Sequence, residues 1–318
     1  MRVLVYGAGG VGLGLGSFLL AAGARVHFVG RPEAVRALRE HGLSRSGRFG
    51  SALAGPDSLV AAPTLEDLRA EAPFDFVLVT VKTTDNAAAT TALAEGLAGD
   101  PQLVLCQNGW GAAEVFARRF PEARIWNARV ITGFVRSAPN RVEVTAHAAP
   151  VAVGSIFGMD PAPIEPLCEA LRQGGLPAEA TTHIAEVLWA KLLYNGCLNG
   201  LGAILGVPYG ALGESAHSRA VIADVAGEIF AVMHAAGHTT HWPDVESYLE
   251  SLYGELLPPT REHESSTLQD LRAGKQTEID ALNGAIVRLG SEFGIETPVN
   301  RTVCALVRIL EERGASAG

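Results

Sequence analysis

One stretch near the start of the chain limits the fold more than any other. Val3-Leu4-Val5-Tyr6 is a short apolar, β-branched run, read as a buried parallel strand. Gly7-Ala8-Gly9-Gly10-Val11-Gly12 follows it, and a helical pattern then continues to about Ala22. A GxGxxG spacing between a strand and a helix is meaningful in a way that an isolated glycine cluster is not. Gly7 permits a tight turn, Gly9 lets a pyrophosphate approach the backbone, and Gly12 lets helix and strand pack closely. The helix start then offers free N–H groups and a positive dipole end to phosphates. The expected fold is therefore α/β, with a dinucleotide bound at Gly7, Gly9, Gly10 and Gly12.

The next strand, Arg25 to Val29, is where a dinucleotide fold shows its preference. A carboxylate at this strand's end, about 20 residues beyond the glycines, would hold a ribose 2′-hydroxyl. The chain reads Gly30-Arg31-Pro32 instead. An arginine without a carboxylate at the strand tip is the pattern for a 2′-phosphate, so NADP is expected over NAD, with Arg31 as its ligand. Residues 34–41 read as a helix and 42–62 as a short strand pair. Thr64 and Asp67 form a cap pair.

Phe76 to Val81 is a clear buried strand, and Lys82 lies at its carboxyl end, where open α/β sheets bind ligands. Leu103 to Cys106 is another, ending in Gln107-Asn108-Gly109. Asn108 offers both a donor and an acceptor to nicotinamide or substrate, although Asn-Gly is also a common turn. Three strand-like runs, 124–135, 141–147 and 151–156, are expected to extend the sheet with antiparallel strands. A helix over 161–174 and a strand over 176–181 complete the first half.

From about residue 183 the periodicity becomes helical, which sets a domain boundary at 181/182. Leu188 to Leu205 has almost no charge, yet Lys191, Asn195 and Asn199 fall at i, i+4 and i+8. At ~3.6 residues per turn they form one polar stripe on an apolar rod. Each unsatisfied buried polar group would cost roughly 2–7 kcal/mol, so something polar faces the stripe, either a core network or a substrate. Further helices are expected over 219–237, 244–256, 265–273, 277–293 and 298–312. Ser265 and Ser266 can cap a helix and offer hydroxyls. Thr277 and Asp280 read as a cap pair. Glu278 in that first turn is either dipole-stabilised or a carboxylate that orients the lysine or a substrate hydroxyl.

Composition excludes some classes. The 318 residues carry a net charge of −9, which argues against a nucleic-acid binder. The apolar run after Val11 is broken by glycines and falls short of the ~18 uninterrupted apolar residues of a membrane span. Cys106, Cys168, Cys197 and Cys304 have no metal or disulfide spacing, and the chain enters a strand at once without a leader pattern. A cytoplasmic location fits best. His234, His238 and His241 have HxxxHxxH spacing, but Gly237 between them signals a helix end, so no metal site is expected.

These motifs together resemble the ketopantoate reductase (2-dehydropantoate 2-reductase) family. The resemblance spans nearly the whole chain. It rests on GAGGVG at Gly7, VKT at Lys82, QNG at Asn108, AKLLYNGCLN at Lys191 and SSTLQDLRAGKQTEIDALNG from Ser265. It implies an N-terminal Rossmann domain over 1–181, an all-α, 6-phosphogluconate-dehydrogenase-like domain over 182–318, and NADPH as hydride donor to a small 2-oxo acid. The family's catalytic lysine falls on Lys191, its substrate-binding groups on Asn195, Asn199 and Ser266, and its glutamate on Glu278. Lys82, Asn108 and Glu278 match groups that contact the cofactor, and Asn108 also meets substrate. The family commonly has Met after the paired serines, where this chain has Thr267. Helical domains of this type often pair, so a homodimer is expected. Other readings of the same motifs are a reductase of another 2-oxo acid, an opine-type dehydrogenase, and a non-catalytic NADP-binding sensor.

Overall fold

The structure is a computed structural model that describes residues 1–316. The chain divides into two compact units, Met1–Gln107 with Ala112–Ile184, and Asn108–Gly111 with Ala185–Gly318.

The first unit holds two sheets. Its strands are β1 (Arg2–Tyr6), β2 (Arg25–Val29), β3 (Leu43–Gly47), β4 (Ala52–Ala54), β5 (Leu59–Ala62), β6 (Phe76–Val79), β7 (Gln102–Leu105), β8 (Ile125–Arg129), β9 (Thr132–Ala138), β10 (Arg141–His147), β11 (Val151–Gly154) and β12 (Ala178–Ala180). Its helices are α1 (Gly10–Ala21), α2 (Pro32–His41), α3 (Asn86–Gly96), α4 (Ala112–Ala117) and α5 (Glu165–Gln173). The large sheet has the order β12-β11-β8-β7-β6-β1-β2-β5. All of its pairs are parallel except β8 with β11. Its middle strands are apolar on both faces: Val3, Leu4 and Val5 of β1 and all four residues of β6 are buried. That is the signature of a sheet covered on both sides.

The run from Arg124 to Ile156 departs from expectation. It does not simply add antiparallel strands to the main sheet. β8 joins in parallel, because the chain crosses over through α4 before it returns. Only β11 is antiparallel there. β9 and β10 leave altogether and form a second sheet, β4-β3-β10-β9, packed on α1. The reason lies in the burial pattern. β8 buries Ile125, Trp126 and Ala128, whereas β10 buries only alternate residues, Val142 and Val144. A strand with one polar face cannot sit in the doubly covered sheet. On α1, Phe18 meets Phe49 and Phe134 at ring distances of 5.5 and 6.5 Å.

The second unit is helical: α6 (Ile184–Leu205), α7 (Tyr209–Glu214), α8 (Ala216–Ala235), α9 (Val245–Ser251), α10 (Ser266–Arg272), α11 (Asn283–Phe293) and α12 (Pro298–Ser316). α6 is 22 residues long and apolar nearly all round, as a helix enclosed by others must be. Asn283 Nδ2 donates to Gly196 O at 2.9 Å and to Asn300 Oδ1, joining α11 to α6 and α12. The helix expected from residue 244 stays α-helical to Ser251 and widens into a π-turn at Leu252–Leu256. Among the described residues, no helix is long and apolar enough to cross a membrane.

The helix expected over 277–293 begins only at Asn283. Thr277 and Asp280 do not form a cap pair. Thr277 Oγ1 accepts from Ile279 N at 3.3 Å, and Asp280 turns outward to an ion pair with Arg308. A single 3-10 turn, Ile279–Ala281, stands there instead, and Leu282 (φ −96°, ψ −105°) breaks the path into α11. Glu278 precedes that turn, so it does not sit in the first turn of an α-helix.

Candidate active site

The glycine loop of the first unit is built by contact. The Gly7 N–H donates to Val29 O at 2.9 Å, and Thr80 Oγ1 donates to Gly7 O at 2.6 Å. Gly7 has φ +122°, and a Cβ there would lie 2.7 Å from Val81 N. A Cβ on Gly12 would lie 2.0 Å from Gly7 O, and one on Gly10 would lie 2.5 Å from Phe134 O. Three of the four glycines are thus required by close packing. Gly9 differs: a Cβ there would meet nothing within 4 Å. It is the N-cap of α1, whose first turn carries no acidic residue. Bare N–H groups beneath an open glycine fit a pyrophosphate.

At the end of β2, Arg31 is exposed and serves as the N-cap of α2, with Pro32 after it. Glu33, in the first turn of α2, is ion-paired to Arg136 at 2.9 Å. Lys82, half-buried, lies just beyond β6 and caps a short 3-10 turn, Thr83–Asp85.

The second unit gathers the other residues around α6. Lys191 Nζ donates to Asn108 Oδ1 at 2.6 Å, although 83 residues separate them in the chain. Asn108 belongs to the short segment Asn108–Gly111 that clusters with the helices, although in chain order it falls within the α/β half. Gly109, with φ +86°, explains how. A Cβ there would lie 2.1 Å from Ala281 O, and the Trp110 N–H donates to that same carbonyl at 2.9 Å. The Trp110 ring then packs on Trp189 at 4.9 Å and on His238 at 5.0 Å. Burial pushes the His238 pKa below its ordinary value. The other two histidines of the HxxxHxxH stretch have different ring partners, His234 with Phe230 and His241 with Trp242.

Asn195 is half-buried, one turn after Lys191. Asn199 is only 4% exposed, and Tyr209 OH donates to its Oδ1 at 2.5 Å. Ser265 Oγ donates to the Asn199 carbonyl at 3.1 Å and accepts from Leu268 N at 3.0 Å, capping α10. Ser266, at the first position of α10, is exposed. Glu278 is half-buried, and its carbonyl accepts from Ala281 N and Leu282 N. It therefore begins the same turn that holds Trp110.

Lys191, Asn108 and the turn of Glu278 are thereby connected, and the far end of the stripe is tied to Ser265 and Tyr209. Lys82, Arg31 and the glycines belong to the other unit. Tyr209, Trp110 and Trp189 belong to none of the motifs that mark functional positions in the sequence. The aromatic residue directly after Asn108-Gly109 was the one available signal for Trp110.

A glycine-loop α/β unit followed by a helical unit with a half-buried lysine–asparagine pair defines a Rossmann-type oxidoreductase. Family models agree. "Ketopantoate reductase PanE/ApbA" matches residues 3–157 and "Ketopantoate reductase PanE/ApbA C terminal" matches residues 183–311. The chain belongs to the ketopantoate reductase family. It is 31% identical to the 2-dehydropantoate 2-reductase of Aquifex aeolicus, over 98% of this chain and 97% of that one. The crystal structure of a PanE/ApbA family ketopantoate reductase from Ralstonia eutropha has a TM-score of 0.87 at 31% identity, covering 99% of both chains. D-mandelate dehydrogenase in a ternary structure with NADH and anilino(oxo)acetate has a TM-score of 0.88 at 23% identity, covering 99% of both. At that identity the likeness concerns the fold alone.

Proposed function

We propose that this protein reduces 2-dehydropantoate to (R)-pantoate with NADPH, for pantothenate and coenzyme A synthesis in the cytoplasm. The observation that carries the reading is the 2.6 Å bond from Lys191 Nζ to Asn108 Oδ1, in a chain whose family members bear this activity in their names.

The dinucleotide, when bound along Gly7, Gly9, Gly10 and Gly12, supplies a hydride. Arg31 pairs with its 2′-phosphate, and Lys82, Asn108 and Glu278 help to seat it. As the ketone carbon is reduced, negative charge develops on its oxygen. A protonated Lys191 stabilises that charge and then gives up the proton from Nζ. Asn108 accepts a hydrogen bond from Nζ and so holds the ammonium in one orientation. Asn195 and the exposed hydroxyl of Ser266 bind the carboxylate and the distal hydroxyl. Asn199 supports them through its amide nitrogen, since Tyr209 already engages its Oδ1. Glu278 orients the lysine or holds the substrate hydroxyl.

The test is NADPH oxidation with 2-dehydropantoate, run beside NADH and a panel of other 2-oxo acids. Turnover highest with 2-dehydropantoate and NADPH supports the reading. Higher turnover with another 2-oxo acid would reassign the substrate. Tight NADPH binding with no turnover on any acid would make the protein a sensor.

A further inference from the structure

We propose that Arg136 and Glu33 form a built-in selector for the cofactor's 2′-phosphate. This inference rests on the NADP reading above and names a residue pair that acts with Arg31. Arg136 lies on β9, in the second sheet, more than a hundred residues from Arg31 in sequence. The fold nonetheless brings it to the dinucleotide loop. A Cβ on Gly10 would lie 2.5 Å from Phe134 O and 3.7 Å from Arg136 N, so the backbone of Arg136 runs beside the first turn of α1. Its guanidinium then reaches across to the first turn of α2, where Nη2 meets Glu33 Oε1 at 2.9 Å. Arg31 is the N-cap of that same helix. The arginine thus extends from the helix start that takes the pyrophosphate to the helix start that takes the adenosine ribose.

The charges explain why both residues are present. Glu33 by itself would repel a 2′-phosphate and favour a ribose 2′-hydroxyl. Paired with Arg136, it carries no net charge toward the site, and Arg31 keeps its positive field. The guanidinium has five N–H donors, so it can hold Glu33 with one edge and offer another to a phosphate oxygen. Both side chains are partly exposed, which leaves that second edge accessible. A simple strap between β9 and α2 would use the same ion pair but would not distinguish one dinucleotide from the other.

The experiment measures dissociation constants of NADPH and NADH, and of 2′,5′-ADP and 5′-AMP, for the wild type, Arg136→Ala and Glu33→Gln. Arg136→Ala is expected to weaken NADPH and 2′,5′-ADP by about tenfold, as for one lost charge-assisted contact, and NADH and 5′-AMP by less than about twofold. Glu33→Gln is expected to tighten NADPH by about two- to threefold, since it frees the guanidinium and removes a repulsive charge. Equal weakening of both dinucleotides in Arg136→Ala, or no weakening of either, overturns the selector. So does weaker NADPH binding in Glu33→Gln. A wild type that binds NADH as tightly as NADPH overturns the NADP reading along with it. A wild type that prefers NADPH, with Arg136→Ala keeping that preference, overturns the selector alone.

Discussion

Gly109→Ala tests how Asn108 is held against Lys191. Two costs can be worked from the structure. The backbone at Gly109 has φ +86°, a left-handed conformation that costs a residue with a Cβ about 1–2 kcal/mol. The added methyl would also lie 2.1 Å from Ala281 O, and forcing a group into such a space costs about 1–3 kcal/mol. If the segment moves away to relieve the clash, it loses the Trp110 N–H bond to Ala281 O at 2.9 Å and withdraws Asn108 from Lys191. The expected outcome is a stability loss of about 2–5 kcal/mol in denaturant unfolding, together with a fall in kcat. Gly274→Ala separates the two costs. Gly274 has φ +61° and nothing within 4 Å of an added Cβ, so it pays only the conformational part, about 1–2 kcal/mol. If Gly109→Ala is no more destabilising than Gly274→Ala and keeps wild-type kcat, the anchoring argument is wrong.

Three other outcomes are expected. Gly9→Ala folds with an unchanged melting temperature but binds NADPH more weakly, whereas Gly12→Ala loses stability too, because its methyl would lie 2.0 Å from Gly7 O; calorimetry with titration of NADPH checks both. Tyr209→Phe leaves the buried Asn199 Oδ1 without its donor and costs about 1–3 kcal/mol; a double-mutant cycle with Asn199→Ala in urea would expose the coupling, and additive losses would refute it. Burial lowers the pKa of His147, His238 and His263 from the ordinary 6.5. The unfolded chain therefore binds more protons below that value, so stability is full above about pH 6.5 and falls as pH drops through the lower folded values. Unfolding midpoints measured against pH should show that slope, and His238→Gln should flatten it in part.

What was legible in the sequence is what local conformation decides. The glycine loop could be read because strand, turn and helix follow one another within about twenty residues. The Lys191-Asn195-Asn199 stripe could be read because helical periodicity alone aligns it. The remainder depends on partners far along the chain. The alternation in β10 marks it as one-sided, yet nothing local says that its buried side covers α1. The partner of Asn199 could not be read, because Tyr209 lies beyond the helix end at Gly206. Glu278 looked like part of a helix because Thr277 and Asp280 have cap spacing; Arg308, 28 residues on, takes the aspartate away. Asn108 looked like the tip of a strand, and only Ala281 and the tryptophan pair show why Asn108–Gly111 clusters with the helices.

The central claim is that Lys191 supplies the proton to a reduced 2-oxo acid. It is tested most directly by comparing Lys191→Ala with wild type in two measurements on the same preparation, kcat with 2-dehydropantoate and the dissociation constant of NADPH. Loss of a general acid predicts a fall in kcat of about 10²–10⁴-fold, with NADPH affinity unchanged within about twofold. A variant that turns over at near the wild-type rate would contradict the account.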